Sequence, residues 1–212
     1  MGLFESGRNK QRVAGYVLPD TAVVRVFSLI RLHDPEGTIR WAESDPSVLS
    51  ARTTFREAVA GTPVRRRPEQ PMGMVDAETV ASLQTLFGAG DDVNVLVWSG
   101  YAETAEFADR CRPATGAAAE FIEQGNLLQL RMPARELADF TEESGRHFPV
   151  AVWNDDESIA ITQPIYHDSV YVSAVDRTVL DTLLRAPTVE GREISPVADL
   201  PSWPAYLTES AD

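Results

Sequence analysis

Between Phe148 and Ala174 the chain reads as three strands in quick succession, and this stretch constrains the fold most. Phe148 to Trp153 alternates as a strand, Asn154-Asp155-Asp156-Glu157 is a tight polar turn, and Ser158 to Thr162 returns. Two such runs about a short polar turn predict a β-hairpin. Asp168 to Ala174 adds a third strand. Side chains alternate along it, which puts Val170 and Val172 on one face and Tyr171 and Ser173 on the other. Connections this short favour antiparallel neighbours.

The rest of the chain mixes strands with helices. Thr21 to Leu32 is rich in β-branched residues and reads as one strand, followed by a turn at Asp34-Pro35-Glu36-Gly37. Ser44-Asp45-Pro46 resembles a helix start, and Val48, Leu49, Phe55 and Val59 continue a helical stripe to Gly61. Further helices are expected over Asp76–Phe87, Thr104–Arg110, Ala117–Glu123, Pro133–Ser144 and Asp176–Leu184. Further strands are expected at Val93–Trp98, Leu127–Met132 and, as a final edge strand, Val189–Val197.

Hairpin pairing interrupted by helical crossovers predicts the α+β class, a largely antiparallel sheet with helices packed against it. The chain of 212 residues suits one body, or two similar-sized α+β lobes in one compact unit. A Pro- and Arg-rich loop at 63–75, with Arg65-Arg66-Arg67, would separate an N-terminal lobe (13–62) from a C-terminal body (76–198). The tail, 199–212, is expected to be extended, with Trp203 and Tyr206 lying against the body.

Charge narrows the function classes. The formal net charge is −13. Residues 1–100 hold 12 acidic and 11 basic side chains, and residues 101–212 hold 20 and 8. A polyanion is repelled by such a surface, so nucleic acid is not an expected partner and a basic protein is. No run approaches the length of a membrane span, and Met1 to Arg12 lacks the apolar core of a signal peptide. The lone Cys111 rules out an intramolecular disulfide and fits a reducing cytoplasm. One lysine against 18 arginines suggests GC-rich, bacterial coding.

Few residues carry chemistry on their own. Cys111 lies between Arg110 and Arg112, whose charges would favour a thiolate, with His147 or His167 as a base. A cysteine in this position is also commonly a small buried hydrophobe. His33, His147 and His167 share no metal-ligand spacing, and no cofactor motif occurs: Gly88-Ala-Gly90 lacks the residues of a phosphate loop. Asp91-Asp92 and Asp155-Asp156-Glu157 are acidic clusters at strand ends.

The expectation is therefore a protein-binding or regulatory module that neutralises or scaffolds a basic partner. Its surface would comprise Trp153, Asp155, Asp156, Glu157, Tyr166, His167, Asp168 and Tyr171, aromatic anchors beside carboxylates. Two alternatives stand beside it. One is a hydrolase-type enzyme whose site is assembled from distant residues, using Cys111 with His147 or His167, or carboxylates. The other is a subunit of a homo-oligomer.

Overall fold

A computed structural model describes residues 12–33, 36–44, 49–60, 68–69, 73–100, 110–115, 118, 127–165 and 167–200. The architecture is α+β and mostly antiparallel. Its strands are β1 (Ala22–Phe27), β2 (Ile30–His33), β3 (Glu36–Ile39), β4 (Pro68–Glu69), β5 (Asp92–Trp98), β6 (Arg112–Pro113), β7 (Leu127–Pro133), β8 (Ala151–Asn154), β9 (Ile159–Thr162), β10 (Ser169–Ala174) and β11 (Gly191–Glu193). Its helices are α1 (Trp41–Ser44), α2 (Phe55–Ala58), α3 (Ala77–Gln84), α4 (Leu137–Glu143) and α5 (Arg177–Arg185).

Eight strands form one sheet in the order β11-β1-β10-β9-β8-β5-β7-β6, and a small sheet has the order β3-β2-β4. The large sheet is buried on both faces. One register row, Val24-Val172-Ile161-Val152-Val95-Leu130, crosses six strands with every side chain in the core. Over it pack Val80 and Leu83 of α3, Leu137 and Phe140 of α4, and Leu180 and Leu183 of α5. The adjacent row, Arg192-Arg25-Tyr171-Thr162-Ala151-Leu96-Gln129-Arg112, crosses all eight strands and faces the other way. Val13, Tyr16, Val17 and Leu18 cover that face together with Ile194 and Leu200. The two chain segments meet there through Val13 N–H to Ala198 C=O and Ala14 N–H to Pro196 C=O.

The hairpin at β8–β9, the strand at β10 and the edge strand at β11 stand where the sequence places them. Asp76 and Asp176 cap α3 and α5 by accepting from the Thr79 and Thr178 N–H groups. Gly145, with φ 69°, supplies the left-handed turn that follows α4.

Three local expectations change. The run Thr21–Leu32 is two strands, not one, because at Ser28–Leu29 the chain leaves the large sheet for the small one. Ser28 N–H still donates to Asp168 C=O at that break. The helix expected from Ser44 to Gly61 is two short helices with a non-helical stretch at 49–54 between them. Ser44 ends α1, whose opening N–H groups at Trp41 and Ala42 are instead held by the Glu190 carboxylate at 2.8 and 2.7 Å. A Thr54–Glu57 capping box starts α2. Finally, Pro68–Glu69, expected in a loop, pairs as β4 with Arg31 and Leu32.

The expected lobe 13–62 and body 76–198 share the large sheet, because β1 lies between β10 and β11. Arg65–Arg67, nearly all of the helices expected at 104–110 and 117–123, and Trp203 with Tyr206 lie outside the described residues.

A core held from both faces makes its central row sensitive to truncation. Ile161→Ala should cost about 3 kcal/mol, the range for opening a cavity under a buried aliphatic side chain. Val175, which is 70% exposed, should tolerate alanine to within about 0.5 kcal/mol. Urea unfolding of the two variants checks this; equal losses would contradict the placement.

Candidate functional site

The register sorts the loops into two ends of the sheet with opposite characters. At one end lie the starts of β1, β5 and β9 and the ends of β7, β8 and β10. That end collects Asp20, Asp91, Asp92, Asp155, Asp156 and Asp176, all exposed, and the half-buried Glu157. The acidic clusters at Asp91-Asp92 and in the hairpin turn are far apart in sequence but adjacent here. Arg131 of β7 joins them, reaching Asp92 at 3.3 Å and Asp155 at 2.7 Å. Asn94 also donates to Asp155, at 3.0 Å. Those two carboxylates raise the Arg131 pKa, the Asp155 hydrogen bond most. Hydrogen bonds from Ser158 hold Asp156 below the ordinary carboxylate value, and bonds from Thr178 do the same for Asp176. The acidic end thus draws on both halves of the sequence, not on residues 101–212 alone.

Glu157 has φ 53° and closes the turn with its N–H on Asn154 C=O at 3.0 Å. A left-handed residue at the end of a hairpin turn is ordinarily glycine. The chain holds a glutamate there, and Asp20, at the same sheet end, is also left-handed at φ 55°.

The opposite end is closed and polar inside. Arg25 projects from β1 among buried neighbours and is 0% exposed. Its Nε donates to Ser169 Oγ at 2.8 Å. One terminal nitrogen donates to the carbonyls of Ala51 and Thr53, at 3.1 and 2.7 Å. The other reaches Asp168 Oδ1 at 3.1 Å. The guanidinium also stands 4.5 Å from the Phe27 ring centroid and 5.3 Å from that of Trp41. Trp41 is fixed in turn by its indole N–H on Ser28 C=O at 2.7 Å.

Asp168, His167 and Tyr171, expected on a binding surface, are all 0% exposed. His167 and Asp168 are buried because the β9–β10 connection turns inward, with His167 C=O accepting from Gly73 N–H at 2.7 Å, and Tyr171 lies within β10 on the second covered face of the sheet. Trp153 is buried at 7% exposure, and Tyr166 lies outside the described residues. Of the expected surface, the hairpin carboxylates Asp155, Asp156 and Glu157 remain. The residue that sequence reasoning missed is Arg25. Its signal was a charge inside Val-Val-Arg-Val-Phe, a run buried on both faces.

His167, Asp168 and Ser169 are the residue types of a nucleophilic triad, but the hydroxyl is committed. Ser169 Oγ accepts from Arg25 and donates to Asp168 Oδ1 at 2.8 Å, with no exposed surface. The expected Cys111–histidine pairing does not form with His167. Cys111 adjoins β6 and His167 adjoins β10, five strand spacings apart, about 24 Å. His147 is half-buried at the Met74 bridge. Burial raises the Cys111 pKa and outweighs the opposing charge of Arg110, so the thiol form is favoured. The side chain packs against the helix-covered core as a small hydrophobe. Among the described residues no group of His, Cys, Asp and Glu is placed to hold a metal ion, and no helix is long and apolar enough to cross a membrane.

No protein-family model, curated protein or solved structure matches this chain.

Two outcomes follow from the buried end. Asp168→Asn should cost about 3–5 kcal/mol by leaving the Arg25 charge buried without its counter-charge. Denaturant unfolding checks this, and a loss below about 1 kcal/mol, the scale of a surface pair, would contradict it. The second outcome concerns pH. Burial lowers the His167 pKa from 6.5 to about 4, the Asp168 charge opposing that shift and the Arg25 charge adding to it. Between those values the unfolded chain binds more protons than the folded one, so stability falls as pH falls. From neutral pH to pH 4 the wild type should lose about 3 kcal/mol more than His167→Gln. Parallel stability curves would contradict this.

Proposed function

We propose that the chain is a protein-binding module that docks a basic partner on the acidic end of its large sheet. The observation that carries this reading is the gathering, by strand register, of Asp20, Asp91, Asp92, Asp155, Asp156, Glu157 and Asp176 at one end. Like charges brought together cost folding energy, and a concentrated field speeds and selects encounters with a cationic surface. Glu157 adds a second support. A non-glycine residue in the left-handed region is strained, and such strain clusters where a side chain is kept for function. Arg131 is already shared between Asp92 and Asp155, whereas Asp20, Asp91, Asp156, Glu157 and Asp176 make no ion pair among the described residues.

Glu157→Gly separates the two roles. It should stabilise the fold by about 1 kcal/mol through relief of the left-handed backbone, while weakening partner capture. Affinity capture from the native cell reads the binding. The wild type should retain a basic protein at low salt and release it at high salt, and Asp156→Asn with Glu157→Gln should retain less at low salt. Capture that ignores both salt and these substitutions would sink the reading.

A further inference from the structure

Tyr171 and Gln163 present buried polar atoms that no group among the described residues satisfies. Tyr171 Oη sits at 0% exposure, and the Gln163 carboxamide at 1%. The Tyr171 hydroxyl and both polar atoms of Gln163 lack a hydrogen-bond partner among the described residues. Nearly all buried polar groups in folded proteins are paired, and an orphan costs on the order of 1–3 kcal/mol. Three such atoms in a core where Arg25 makes four side-chain hydrogen bonds are therefore out of keeping with their surroundings.

The chemistry of the two groups defines what meets them. Tyr171 stands cross-strand from Arg25 in the register, and its phenol feels both Arg25 and Asp168. Burial raises its pKa, so it stays a neutral O–H and offers a donor as well as an acceptor. Gln163 offers two N–H donors and a carbonyl acceptor. A charged ligand would upset the balanced Arg25–Asp168 pair beside Tyr171. A neutral molecule that both donates and accepts suits each group, and water is the smallest. Internal waters occur at about one per 27 residues, which gives on the order of eight for a chain of this length.

We infer that Tyr171 Oη and the Gln163 carboxamide each bind an internal water molecule as a fixed part of the fold. The sites are distinct. Gln163 follows Thr162 at the end of β9, where its own N–H donates to Val150 C=O, whereas Tyr171 lies in mid-strand on β10.

A crystal structure of the full chain at a resolution that shows ordered water, with urea unfolding of Tyr171→Phe and Gln163→Met, tests this. The expected result is single-atom density within hydrogen-bond distance of each group. Each substitution should raise the unfolding equilibrium constant about fivefold, since a satisfied bond is lost. Absence of density, with either variant as stable as the wild type or more so, would overturn the inference, because removing an orphaned polar atom relieves a cost. Density for a larger molecule at either position would also overturn it.

Discussion

The guanidinium of Arg25 is the element on which the buried end of this molecule depends. It joins three separate stretches of chain: β1, the Asp168–Ser169 start of β10, and the Ala51–Thr53 segment before α2. A buried charge is tolerable only when it is paired and its hydrogen bonds are made. Arg25 has four of its donors so placed, plus two aromatic faces. The arrangement fixes more than it stabilises. A one-residue slip in the β1–β10 register would turn Arg25 to the helix-covered face, among Val24 and Val172. In the non-helical stretch at 49–54, the carbonyls of Ala51 and Thr53 accept from it.

Polarity of the sheet follows from the same topology. Loops at one end are short and carboxylate-bearing, and their charges remain in water. The β9–β10 connection at the other end is drawn inside, with Gln163, His167 and Asp168 almost fully buried. Connections usually run over the surface because their backbone groups need partners. Here Gly73, Pro164 and Ser28 supply some of them.

Much of the scaffold was legible because it obeys simple periodicity. Val170 and Val172 against Tyr171 and Ser173 gave the two faces of β10 correctly, and Asn154–Glu157 gave the hairpin turn. Asp76 and Asp176 were legible as the starts of their helices, and the structure makes both of them caps. What was not legible depended on contacts across long sequence distances. Glu190 holds the start of α1 across 149 positions, and no local pattern announces that. The break at Ser28 arises from a choice between two sheets, not from a breaker residue. His167, Asp168 and Tyr171 looked like surface recognition groups because polar and aromatic residues at a strand start usually are. The burial of Asp168 is matched by Arg25, 143 positions away, which supplies the counter-charge.

Exchange of the arginine side-chain N–H groups with solvent, followed by NMR, tests the role of Arg25 most directly. The Arg25 Nε–H, bonded to Ser169 and 0% exposed, should exchange only on global unfolding, while that of the exposed Arg31 should exchange rapidly. Exchange at Arg25 as fast as at Arg31 would show that the guanidinium is not locked, and would contradict the account.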